Sequence, residues 1–268
     1  MPMIVRWAAA VLSALGMAAA AQAEDAAGQI RAHAGEHRVI VLGERHGTRE
    51  VPALVRELIE AYAADGLPVR LALELPTSEN PALAAYMAST GTAEARTALR
   101  GTAYWNVRGR WHDGRRNEDV LDLVEAARAL RARGRDVQAF GFDRVLPAAL
   151  AGTGARDRAM AGKVRARARA LPGNGRLLVL TGNLHGMRTQ PEWLAYPPMT
   201  ALLIYNIHIE ARSGESWACT AAQRCGARPV GNGGAGSSRR DTADDRSYDL
   251  SVWLPVFSVA RLLDGGPG

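Results

Sequence analysis

Arg38-Val39-Ile40-Val41-Leu42-Gly43 is a short β-branched run that ends in glycine and passes straight into Glu44-Arg45-His46-Gly47. Beyond it, Val51, Leu54, Val55, Leu58, Ile59 and Tyr62 recur at the i, i+3, i+4, i+7 spacing of an amphipathic helix. A strand that hands over to a helix in this way is half of a βαβ unit, and the pattern repeats along the chain. Gly66-Leu67-Pro68 stops the helix, and Val69 to Leu75 reads as a second buried strand. A third strand fits Asp136 to Phe142, after a helix over about 117–133 that Gly134 ends. A fourth fits Arg176 to Thr181, after a helix over about 156–170; Thr200 to Ile209 and Leu250 to Val256 supply a fifth and a sixth. Strands alternating with helices predict an α/β fold: a mostly parallel sheet with helices on both faces. Between strands two and three lie about 60 residues, far more than a crossover needs, so a helical cap over about 77–134 is expected.

The chain has 268 residues, 47% hydrophobic and 22% charged, which excludes a disordered, collagen-like or disulfide-dense scaffold. Its formal charge is +6, and Lys163 is the only lysine, so arginine carries almost the whole basic side. Residues 1–23 have the form of a signal peptide: Arg6, an apolar stretch from Trp7 to Ala20, and Ala21-Gln22-Ala23 as a small-x-small cleavage site. That stretch is short of the roughly 20 residues a membrane span needs. Cleavage would leave a single domain over 24–268, periplasmic or secreted, with no membrane span. Export makes a disulfide the expected state of Cys219 and Cys225, placed in an exposed loop over about 211–247 that includes Gly231-Asn232-Gly233-Gly234. Closing so small a loop is worth about 2 kcal/mol in the chain-entropy model.

Chemistry collects at the strand ends. Strand one runs into Glu44 and His46, strand two ends around Glu74, strand three in Gly141-Phe142-Asp143-Arg144, and strand four in Gly182-Asn183-Leu184-His185-Gly186. In an open parallel α/β sheet, ligands bind outside the carboxyl ends of the strands. Two histidines, two glutamates, one aspartate and one asparagine are therefore expected at one edge. Glu44 also suits an N-terminal helix charge, and Asp143 a helix cap. Glu74 sits inside an apolar run, where an unpaired carboxylate is costly, so it needs a cation, a metal or a histidine beside it.

Gly43-x-x-His46, Glu74 and Gly182-Asn183-x-His185 resemble the GxxH, Glu and GNxH pattern of the Tiki/TraB-like and ChaN-like haem-uptake superfamily. Erythromycin-esterase-like hydrolases are similar too: their GE-x-x-HG-x-x-E element looks like Gly43-Glu44-Arg45-His46-Gly47-Thr48-Arg49-Glu50, one residue shorter before the histidine. The shorter spacing is similar to the ChaN-like branch. Gly141-Phe142-Asp143 and Arg156-Asp157-Arg158-Ala159-Met160-Ala161 resemble the G-x-D and RD-x-x-MA elements of the esterase-like branch. The resemblance covers about residues 38–210 and implies a capped sheet with a site of His46, Glu74 and His185. Tiki-like relatives imply metal-dependent peptide hydrolysis, esterase-like relatives water activation against a lactone, and ChaN-like relatives haem binding.

The residue types support two mechanisms without that likeness. Glu44, His46, Glu74, Asp143 and His185 are suitable ligands for Zn²⁺, Mn²⁺ or Fe²⁺, which would lower the pKa of a bound water. Without a metal, His46 paired with Glu74 serves as general base, and Asn183 with neighbouring N–H groups stabilises the oxyanion. No G-x-S-x-G elbow is present and neither cysteine falls at a strand end, which favours a water nucleophile. Arg158, or Arg156 beside it, is expected to pair with a site carboxylate or bind substrate. Trp105 and Trp111, in the aromatic and basic stretch 104–112, are expected to line the cleft or pack the cap. The expectation is an exported hydrolase of an ester, lactone or peptide, with a small-molecule or peptide substrate and no nucleic-acid partner. A haem or iron-porphyrin carrier is the alternative, and a degenerate enzyme fold serving as an interaction domain is a third.

Overall fold

A computed structural model describes residues 26–107, 113–145, 150, 152, 154–200, 205–219, 225–231 and 247–263. The expected signal peptide, Trp111 and most of the glycine-rich stretch after Gly231 lie outside these residues.

Six strands form one sheet: β1 (Val39–Glu44), β2 (Val69–Pro76), β3 (Val137–Asp143), β4 (Arg176–Gly182), β5 (Tyr205–Ala211) and, after the two short strands described below, β8 (Leu250–Leu254). Their order is β3-β2-β4-β1-β5-β8, and every pairing is parallel. Side chains alternate across this sheet with period two. Ile40, Leu42, Leu71, Leu73, Leu178 and Leu180 enter the larger core on one face, while Val39, Val41, Ala72, Leu177 and Val179 enter a second core on the other. Both faces are dry, which is why these strands read as continuous apolar runs.

Helices cover both faces. A helix across residues 26–34 (α1) and α2 (Glu50–Ala64) lie on the larger core, where α2 buries the apolar stripe from Val51 to Tyr62 foreseen from its spacing. Each leucine or isoleucine so covered contributes about 2 kcal/mol. Between β2 and β3 come a 3-10 turn (Thr77–Glu79), α3 (Asn80–Ala88), α4 (Ala93–Arg100) and α5 (Glu118–Ala132). Asn117 caps α5, its Oδ1 accepting from the Val120 N–H at 2.8 Å, and the helix packs beside α2 and β3. On the opposite face α6 (Ala155–Arg169) buries Met160, Ala161 and Val164 against Phe140 and Phe142. A single turn of helix, α7 (Asn183–Gly186), follows β4.

The stretch expected as loop around Cys219 and Cys225 instead carries a β-hairpin. β6 (Glu215–Cys219) pairs antiparallel with β7 (Cys225–Pro229), and the disulfide joins two residues in direct register. The hairpin has no apolar alternation to announce it; its order comes from the disulfide and from backbone contacts described below.

Candidate functional site

The central strands β2, β4 and β1 are neighbours, and β3 flanks β2, so their carboxyl ends share one edge. Chain direction changes there: β4 returns to fill the gap between β1 and β2, the arrangement that opens a crevice in parallel sheets. A cavity of about 630 Å³ occupies that place and is lined by His46, Glu74, Asp143, Asn183 and His185, all expected from the sequence.

Local irregularity aims Glu74 into it. The β2–β3 register runs to Leu73↔Gly141, shifts, and resumes at Pro76↔Asp143. A bulge of this kind re-aims a side chain next to a site. Where β2 leaves the ladder, the Asn80 side chain takes its place, accepting from the Gly141 N–H at 2.6 Å and donating to the Gly141 carbonyl at 3.0 Å.

Glu74 is 6% exposed and fully occupied. Its Oε1 accepts from Arg156 Nη2 at 2.6 Å and Arg115 Nη1 at 3.4 Å, and its Oε2 accepts from Thr181 Oγ1 and the Gly182 N–H, both at 2.8 Å. Burial works to raise its pKa, but the histidines and arginines around it outweigh burial and hold it well below the ordinary carboxylate range. His46 lies beside it, Nε2 to Oε2 at 3.6 Å, with Nδ1 at 3.0 Å from Glu44 Oε1. Burial acts to lower the His46 pKa; the two carboxylates exceed that effect and raise it. Burial raises Glu44 as well, against the opposing pull of His46. The titrating proton of this corner therefore belongs to the Glu44–His46 pair, and Glu74 stays ionised. Gly182 makes the approach possible, since a Cβ there would stand 2.8 Å from His46 Nε2.

Arg156, in the first turn of α6, ties the rest together. Nε and Nη2 each donate to Asp143 at 2.8 Å, Nη2 also reaches Glu74, and Nη1 faces His185 Nε2 at 2.8 Å. A guanidinium only donates, so His185 Nε2 is the acceptor and its proton sits on Nδ1. That Nδ1–H points at Asp157 Oδ1, 2.7 Å away, and Asp157 is fixed in turn by the Met199 N–H at 2.9 Å. Four of the five N–H groups of Arg156 are thus spent, and the second one on Nη1 has no partner among the described residues.

The remaining expectations divide. Arg158 is exposed on α6 and does not line the cavity; Arg156, two residues earlier and on the facing side, holds the carboxylates. Trp105 is 2% exposed and edge-on to Tyr104 in the larger core, where its indole is covered on all sides, so it does not line the cleft. Arg115, Asp157, Thr181 and Tyr196 were not foreseen. Asp157 stood in an arginine-rich run, and Arg115 precedes α5 with nothing in its neighbourhood to mark it; Tyr196 lines the cavity from the chain after β4.

Several of the expected metal ligands are instead tied to arginine. Among the described residues no group of three or more His, Cys, Asp or Glu side chains could hold an ion. Of the groups expected to ligate, Glu74, Asp143 and His185 Nε2 are engaged by Arg156, and Arg115 adds a second cation 3.6 Å from Asp143, while His46 Nε2 faces the cavity.

No family model and no curated protein matches the sequence. Solved structures do match it in fold. A Bacillus cereus protein superposes with a TM-score of 0.66 at 11% identity, over 87% of this chain and 92% of that one. A succinoglycan biosynthesis protein gives 0.51 at 11% identity, over 88% and 87%. A mutant of the erythromycin esterase EreC in its open conformation gives 0.54 at 14% identity, over 75% of this chain and 78% of that chain, a likeness of fold.

Proposed function

We propose that the chain is a hydrolase that attacks an ester, lactone or peptide carbonyl with water activated by His46, without a resident metal. The observation that carries this reading is the placement of His46 between Glu44 and Glu74 at a cavity that Arg156 also lines. A water resting against His46 Nε2 and Glu74 Oε2 gives its proton to Nε2 as its oxygen bonds to the carbonyl carbon. The carbonyl π electrons move onto oxygen, and the unspent Arg156 N–H, with Asn183 nearby, receives that charge. Collapse breaks the bond to the leaving alkoxide or amine, which takes the proton back from Nε2. Throughout, Glu44 holds Nδ1 and keeps the ring in one orientation. His185 does not accept a proton in this arrangement; it positions Arg156.

Fold likeness to an esterase favours an ester or lactone over a peptide. Of the branches the sequence resembles, the esterase-like one suits this metal-free constellation best. We also take the chain to be exported, since disulfides such as Cys219–Cys225 persist in oxidising compartments. Among the described residues no helix is long and apolar enough to cross a membrane.

The test is a screen of chromogenic esters, lactones and peptides with wild type and His46→Gln, before and after exhaustive chelation. Turnover is expected to survive chelation and to fall about 10²–10⁴-fold in the variant. The rate should rise with pH through a limb above the ordinary histidine value, because the base form is needed and the neighbouring carboxylates raise the pKa. Turnover abolished by chelation would overturn the metal-free mechanism, and no turnover of any of the three classes would overturn the hydrolase.

A further inference from the structure

The loop that carries His46 and the loop that carries Arg115 meet at the backbone of one residue far away in sequence. The Trp217 N–H in β6 donates to the Gly47 carbonyl at 2.9 Å, and that carbonyl also accepts from the Ala260 N–H at 2.9 Å. The Trp217 carbonyl presses on both loops: a Cβ built on Gly47 would stand 2.2 Å from it and one on Gly114 would stand 2.4 Å from it. Both glycines have positive φ, +76° and +86°, and they precede or follow the functional side chain by one residue. Trp217 itself is buried, and the strand it belongs to is closed two residues later by Cys219–Cys225. Cys219 is exposed and Cys225 is half-buried, so a soluble reductant can reach the bond.

We infer that the disulfide hairpin is a clamp on the site: the Trp217 backbone positions the His46 and Arg115 loops, and the Cys219–Cys225 bond makes that positioning conditional on an oxidising environment. Ser216 and Trp217 are buried and the Glu215 N–H donates to the Phe257 carbonyl at 2.9 Å, but the hairpin lies outside both apolar cores. No residue of β7 is buried, and β6 and β7 pair with each other and not with the six-stranded sheet. A two-stranded ribbon of this kind is marginal in water without a staple. When a small dithiol attacks one sulfur, a mixed disulfide forms and the dithiol then closes its own ring. Two electrons and two protons pass to Cys219 and Cys225, which leave as thiols. With the ribbon free to open, the Trp217 contact to Gly47 and Gly114 loosens while the sheet stays folded.

Hydrogen–deuterium exchange on the full protein, oxidised and after dithiothreitol, tests this with thiol counting to verify reduction. Uptake in peptides covering 44–50 and 113–118 is expected to rise several-fold on reduction, with peptides over 69–76 and 176–182 unchanged. Gly47→Ala in the oxidised protein should reproduce the pattern, because its Cβ would displace the Trp217 carbonyl. A change confined to 215–229 or no change would overturn the clamp. A rise throughout the chain would also overturn it, by showing a staple for global stability instead. Loss of turnover on reduction is a consequence that rests on the hydrolase proposed above, whereas the exchange pattern needs no substrate, so the two fail separately.

Discussion

The ends of β1 and β4 lie side by side and are built alike, each leading to a histidine whose Nδ1 meets a buried carboxylate: Glu44 for His46, Asp157 for His185. They differ at Nε2. His46 presents that atom to the cavity beside an ionised Glu74, while His185 has it covered by Arg156. The lesson is that a histidine–carboxylate pair does not define a base; the group facing the second ring nitrogen does. One pair is free to take a proton, and its neighbour holds the arginine that offsets two buried carboxylates.

The largest effect should come from removing the group that makes the two ends unequal. Arg156→Met leaves Glu74 and Asp143 with much less compensation, and breaking a buried pair costs about 3 kcal/mol or more. Chemical denaturation at neutral pH would measure it. The pH dependence has a definite sign: the Glu74 pKa is depressed on folding, so its contribution is present above the ordinary carboxylate value and is lost as pH falls through the folded value. Loss of Arg156 raises the folded value, so acid unfolding of the variant should begin at higher pH than in wild type. Equal stability of variant and wild type would show that His46 and Arg115 alone hold the carboxylates.

Glu44→Gln sharpens the comparison from the other side. It removes one of the two carboxylates that raise the His46 pKa, so the limb of the pH–rate profile should move to lower pH with the fold intact. A limb that stays in place would assign it to a group other than His46. The smallest effect is expected for Thr181→Val. It deletes one of the two donors to Glu74 Oε2 and leaves the Gly182 N–H, at a cost of about 1 kcal/mol in denaturation. A cost as large as that of Arg156→Met would mean that hydrogen bonds, not cations, set the state of Glu74.

The sheet was legible because its strands are buried on both faces, and β-branched and leucine runs such as Val39–Leu42 have no other use at that length. The site was legible at those strand ends where a polar group interrupts apolar sequence: Glu44, His46, Glu74, Asp143, Asn183 and His185 all reach the cavity edge or the pair beside it. Arginine gave no such contrast. In a chain with 33 basic residues, Arg156 and Arg115 look like the solvated ones around them, and only geometry separates Arg156 from the exposed Arg158. Trp105 stayed open for a related reason, since an indole near arginines suits a core as well as a cleft, and it found the core. The hairpin was hidden because Glu215–Cys219 and Cys225–Pro229 carry no periodic apolar signal.

Gly47 accepts its two restraining N–H groups from Trp217 and Ala260, near the far end of the chain from His46. During synthesis the strands that carry His46, Glu74 and His185 are all made before either restraint exists. A chain ending before Trp217 would therefore carry His46, Glu74 and His185 with neither restraint on Gly47 in place.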